Sequence, residues 1–463
     1  MSTQVAASYL PDSQVITLKP EFAAFDDPAN LRGIEGPDQI GFFFHEWIHY
    51  LHNVSTIQGL SAFANLVHLW SAFRNTIGAD GLCAGSAVLN EGLALNVRQK
   101  IDFMNAARGR RQRPLLGALQ LQEIEFVSVS ERTDPIKGTA LFFGTITCQI
   151  AVPHRNGSKD LHVIEVGMHE IIESAAFMLE ERLAFKLGSV AKVPDVVPYL
   201  LVRGIASHVV RGISDDCVVL CALASLQASD PPSVLLEILH TVRSVMGRGV
   251  DPLQFLREKQ GKVLIESQEW VESMLQEVEN TFPNDEPMAR AVRSTTSTIR
   301  QNFVHRRASP FLEIGLVDEI AANPYALTEI VKTYGACAVI QQRHGSPHDI
   351  DRDLMYDFML TLNHDDELSF GWRMMHAAFR FVALHCTKDV LLATEELQEG
   401  SRTGCPFYTA CSYRFRRERP DDCATKPWLA ARTNVNELCW YGRAVYALRP
   451  PSIGAAGVGF GSV

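Results

Sequence analysis

The chain lacks what would take a protein into a membrane or onto nucleic acid. Nowhere do about eighteen apolar residues run uninterrupted, so no membrane-spanning helix is expected. The first residues, MSTQVAASYLPDSQVITLKP, have no basic stretch followed by an apolar core and do not read as a secretory signal. Positive charge is the minority: 43 Lys and Arg against 53 Asp and Glu give a net charge of −10. That balance provides no overall pull towards nucleic acid or anionic lipid. No internal repeat and no C-x-x-C pair is present. The expected compartment is the cytoplasm, where ten cysteines act as buried thiols, metal ligands or redox groups rather than a disulfide framework.

What is there suits a globular protein of two or three domains: 463 residues, 46% hydrophobic. Residues 1–36 carry Pro11, Pro20, Pro28 and Gly33 and read as an extended lead-in. Gly36-Pro37-Asp38 marks a helix start, because proline fits the first turn and an acid there suits the helix dipole. Apolar periodicity follows to about Ile77. Between about 115 and 166 the runs IEFVSV, ALFFGTITCQIAV and LHVIEV predict a small sheet, with a hairpin connection over Pro153–Asp160. A helix of about five turns is expected after Gly167, and nearly everything from 195 to 395 reads as helical. The basic stretch Arg108–Arg113 is most simply a solvated loop.

The informative residues are His45-Glu46-Trp47-Ile48-His49, an H-E-x-x-H motif. Residues four apart share one helix face, so both imidazoles can reach a single Zn²⁺ while the glutamate between them addresses the water there. His45, His49 and His52 fall on one narrow stripe with Asp38 and Gly41, opposite an apolar face of Ile40, Phe43, Phe44, Trp47, Ile48, Tyr50 and Leu51. That division anchors one side of a helix while the other presents ligands. His52 is not at the metzincin position and reads as a residue lining the cleft rather than a ligand. In HEIIESAAFMLEE, residues His169, Glu173, Ala176 and Glu180 form a second stripe. Antiparallel packing of the two stripes places Glu173 opposite His45 and His49.

On these two segments of about twenty residues each, the chain resembles the gluzincin metallopeptidases, and in particular bacterial proteins with an H-E-aromatic-Ile-His-aromatic-Leu helix and a later E-S-x-A helix. The resemblance implies His45 and His49 as ligands of a catalytic Zn²⁺, Glu46 as general base and Glu173 as third ligand. Glu170 and His169 are competing choices for the third ligand. Glu173 stands 124 positions after His49, longer than the usual connection, and the flanking acidic pattern departs from the family's. His52, Glu170 and Glu180 are expected around the ligands, and His208 or Tyr199 as a donor to the developing oxyanion, with His208 counted among the catalytic residues.

Four cysteines, Cys405, Cys411, Cys423 and Cys439, crowd into one short segment at spacings of 6, 12 and 16. Such clustering predicts a second, structural Zn²⁺, with an iron–sulfur cluster as the alternative. Arg414, Arg416, Arg417 and Arg419 in that segment read as a solvated loop, or as a site for phosphate or an acidic partner. The remaining six cysteines lie in apolar settings and read as small core residues. The expected architecture is α+β and mainly helical. It divides into the lead-in, a zincin-like metal-site domain over 37–310, a helical region over 311–400, a cysteine-rich metal-binding segment over 401–449 and a flexible tail over 450–463. The expected activity is zinc-dependent hydrolysis of a peptide or protein substrate. The alternatives are a non-catalytic protein-binding module on a zincin-like scaffold, and a metal-clustered nucleic-acid or interaction protein.

Overall fold

A computed structural model describes residues 7–10, 14–22, 34, 36–78, 80–107, 119–135, 142–153, 158–191, 194–282, 286–346, 349–350, 352–357, 365–387, 390–397 and 404–449. The basic stretch at 108–113, the hairpin tip at 154–157 and the tail at 450–463 lie outside them. The architecture is mainly helical α+β with two small sheets.

Strands β1 (Ala7–Leu10) and β2 (Val15–Leu18) open the described chain, followed by helices α1 (Pro37–Asn53), α2 (Ile57–Phe73) and α3 (Glu91–Ala107). Strands β3 (Glu125–Pro135), β4 (Phe142–Pro153) and β5 (Lys159–Val166) form an antiparallel sheet in chain order and lead directly into α4 (Met168–Lys186). The helical region follows as α5 (Val196–Tyr199), α6 (Leu201–Val209), α7 (Asp215–Ser225), α8 (Pro231–Gly247), α9 (Pro252–Glu266), α10 (Gln268–Asn280), α11 (Met288–Ala308), α12 (Leu312–Ala322) and α13 (Ala326–Tyr334). Strands β6 (Ala338–Gln341) and β7 (Leu354–Asp357) precede α14 (Asp366–His385), and the chain closes on short helices α15 (Arg414–Glu418), α16 (Pro420–Thr425) and α17 (Trp440–Ala447). One continuous cluster of buried apolar side chains runs from Ala7 to Leu448.

The three-stranded sheet and the helix after Gly167 follow the sequence expectation. The stretch around 338–357 does not, because it forms strands rather than helix. There β2 pairs in parallel with β6, and the sheet runs β1-β2-β6-β7. The lead-in is therefore one half of a sheet whose other half arrives more than 300 positions later.

Helix α1 begins as its sequence dictates, with Pro37 at the first helical position, where a missing N–H leaves nothing unsatisfied, and Asp38 in the first turn. Ile40, Phe43, Phe44, Trp47, Ile48 and Leu51 are fully buried, each large side chain contributing about 1.5–3 kcal/mol of transfer free energy. The Trp47 indole N–H donates to the Gly335 carbonyl at 3.0 Å, so the buried ring leaves no donor unpaired. The helix ends where Ser55 Oγ and Thr56 Oγ1 donate to the Leu51 and His52 carbonyls. Thr56 also caps α2, accepting the Gly59 N–H at 3.0 Å. Gly59 is required at this junction, since a Cβ there would stand 2.3 Å from the His52 carbonyl oxygen.

Candidate metal centre

Helix α4 packs along α1. Gly41 and His45 face Glu180 while His49 faces Glu173, so the two helices run antiparallel, as their stripes require. A Cβ added at Gly41 would meet Glu180 Cγ at an ordinary 3.7 Å, so the crossing has room for a small side chain there. Within this crossing His45, His49 and Glu173 bring ligand atoms within 4.8 Å of one another. Among the described residues no other group of three or more His, Cys, Asp or Glu does so.

The separations fit a metal. His45 Nε2 and His49 Nε2 each lie 3.6 Å from the same Glu173 oxygen, Oε2. Bonds of about 2.1 Å to a tetrahedral zinc put neighbouring ligand atoms about 3.4 Å apart. The imidazole rings stand edge to face, 4.9 Å between centroids, so their nitrogens converge without the rings colliding.

The surrounding groups fix which nitrogen is free. His45 Nδ1 donates to Glu180 Oε2 at 2.9 Å, and a carboxylate can only accept, so the proton of a neutral His45 sits on Nδ1 and the Nε2 lone pair points at the centre. Nε2 and Glu173 Oε2 are then two acceptors face to face, an arrangement that demands a cation or a proton. Burial alone would lower the His45 pKa, but hydrogen bonds to Glu173 and Glu180 hold it well above the usual imidazole value. Burial likewise acts to raise Glu173, and His49 and His45 overcome it and hold the carboxyl well below its usual value. The same three groups could hold a metal ion in place of those protons. Glu46, half-buried, has its pKa raised by desolvation against the opposing pull of His45 and His49.

The other candidates take different places. Glu170 accepts the Gly167 N–H at 2.9 Å and closes the first turn of α4. His169 Nδ1 lies 3.7 Å from the second Glu173 oxygen, Oε1. Tyr199 stands beside His45, ring centroids 6.1 Å apart. His208, expected among the catalytic residues, is exposed in the last turn of α6. A histidine there suits a helix C-terminus, which explains its position without chemistry. His52 turns to a buried network, its Nε2 3.3 Å from Glu313 Oε1. Glu313 in turn takes both arms of Arg306 at 2.6 and 3.2 Å, and Arg306 also donates to Ser55 Oγ at 2.8 Å. Burial acts to raise Glu313, yet the Arg306 charge and His52 hold it down at about 2.

Sequence reasoning missed two neighbours. Tyr9 of β1 stacks on His49 with centroids 6.1 Å apart, and its hydroxyl accepts from Asn53 Nδ2 at 2.7 Å. Nothing local marks it, since it reaches the site only through long-range strand pairing. The Arg306–Glu313 pair carries no periodic signal either.

At the carboxyl end all four cysteines are free thiols lining one small cavity with Tyr413, Arg416, Pro427, Trp440 and Tyr441. No three of their sulfurs come within 4.8 Å of one another, so the ligand set expected from the sequence is gathered but not closed. Desolvation, reinforced by the three neighbouring thiols, pushes Cys405 well above the usual thiol range. The arginines are engaged locally: Arg414 with Glu418 and Glu437, Arg419 with Asp422, and Arg417 on the Ser412 carbonyl.

No helix among the described residues is long and apolar enough to cross a membrane. No protein-family model, curated protein or solved structure matches the chain.

Proposed function

We propose that the chain is a zinc-dependent peptidase whose ion is held by His45, His49 and Glu173. The observation that carries this reading is the convergence of three ligand atoms from two antiparallel helices, with 3.6 Å from each imidazole Nε2 to one carboxylate oxygen, beside the Glu46 carboxylate. A bound zinc supplies Lewis acidity, easing ionisation of water and polarising a carbonyl.

The protein's own residues do the rest. Glu180 orients His45 through Nδ1, and His169 stands beside Glu173. Glu46 takes a proton from the attacking water and returns it to the leaving amine, two transfers for which a carboxyl of raised pKa is suited. Tyr199, its ring centroid 6.1 Å from that of His45, would donate its phenol hydrogen to the substrate carbonyl oxygen as charge develops there.

The test pairs zinc content with turnover of a mixed fluorogenic peptide library. Glu46→Gln should retain zinc and lose about 10²–10⁴-fold in rate. His45→Ala/His49→Ala should lose that zinc equivalent and all turnover. Unchanged hydrolysis in Glu46→Gln removes the mechanism, and zinc without turnover in the unaltered chain leaves a binding module instead.

A further inference from the structure

We infer that Cys405, Cys411, Cys423 and Cys439 bind one structural zinc ion in the cavity they line with Tyr441. The inference is independent of the peptidase reading.

Three observations point to an ion. All four cysteines line one small cavity, with room for a single ion between them. Tyr441, 1% exposed, lines this cavity, and its hydroxyl has no hydrogen-bond partner. Leaving such a group unpaired costs about 1–3 kcal/mol, and a metal-bound thiolate would accept its hydrogen. Arg416, 2% exposed, lines the same cavity with its guanidinium 3.8 Å over the Tyr408 ring. Four thiolates on a divalent ion carry two net negative charges, and a buried guanidinium offsets one of them.

The backbone is prepared as well. Cys439 caps α17, and its sulfur accepts the Gly442 N–H at 3.4 Å. Bonds of about 2.3 Å to zinc set sulfurs about 3.8 Å apart, and no three of these sulfurs yet lie within 4.8 Å of one another, so binding would draw cysteine side chains inward. Each thiol gives its proton to solvent as it binds, and no electron moves. The segment holding them is built of short helices and turns, which an internal ion would tie together.

The full chain, purified without chelator, provides the test. His45→Ala/His49→Ala should keep about one zinc per chain, and that equivalent should disappear when Cys405→Ser/Cys423→Ser is added. Cobalt(II) added to zinc-stripped unaltered chain should give an intense thiolate-to-cobalt band in the near ultraviolet together with tetrahedral bands in the visible. This readout needs no variant to fold. Tyr441→Phe should keep that spectrum while weakening zinc binding about tenfold. A cobalt spectrum without the thiolate band overturns the inference. So do zinc content unmoved by the cysteine changes and a brown chain holding iron and acid-labile sulfide.

Discussion

The two cysteine- and histidine-bearing regions differ in what holds their side chains. His45, His49 and Glu173 sit mid-helix on α1 and α4, long elements fixed by deeply buried residues such as Phe44, Trp47 and Leu179. Their ligand atoms converge because the core has already placed them. The four cysteines sit on turns and on helices of eight residues or fewer, and their sulfurs surround a space without closing on it. A centre built on a packed scaffold is organised before its ion arrives, which suits a site that must keep a position open for substrate. A centre built on turns depends on its ion for its shape.

Four measurements break or sharpen that contrast. The largest effect is expected on stripping zinc from the whole chain. Residues 404–449 should become open to limited proteolysis, since binding free energy there is folding free energy, on the order of 10 kcal/mol. The α1–α4 crossing should stay protected, and equal loss at both ends would erase the distinction.

Next in size is the buried pair that backs the histidine helix. Arg306→Met leaves the Glu313 carboxylate, 0% exposed, without its main partner and should cost about 3–5 kcal/mol in denaturant unfolding. Adding Glu313→Leu should recover much of that loss, and no recovery would mean the arginine acts through packing alone.

Acid should expose the same pair. Glu313 has a folded pKa of about 2 against an ordinary 4.5, so its contribution is complete above about pH 4.5 and is lost as pH falls towards 2. The loss amounts to at most about 3 kcal/mol over that window. Glu313→Gln should flatten this limb of the stability curve, and an unaltered limb assigns it to other carboxyls.

The smallest effect is expected at Glu180. Glu180→Gln keeps a side chain that can still meet His45 Nδ1 but removes the charge, so zinc affinity at the histidine centre should fall about 10–100-fold. Affinity at the cysteine cavity should not move. Calorimetric zinc titration against each centre's knockout separates the two.

Much of the histidine centre was legible because a helix prints its faces on the sequence. The stripe of His45 and His49, the opposing apolar face, and the Glu173–Glu180 stripe needed only a period of about 3.6 residues to read. The three-stranded sheet was legible from runs of β-branched and aromatic residues between turn signals. By contrast, β6 is four residues long and apolar throughout, which periodicity cannot tell from buried helix. Its partner β2 lies beyond any local window. Tyr9 was unreadable for the same reason.

The pairing of β2 with β6 has a bearing on timing. Val15 and Ala338 are register partners, yet 323 positions separate them, and a lone pair of strands such as β1 and β2, four residues each, is at best marginal in water. The ring that Tyr9 lays against His49 therefore gains its full sheet support only once the later half has been made. A nascent chain holds both imidazoles and Glu173 long before that support is in place, so what the full sheet lends to Tyr9 belongs to the finished protein only.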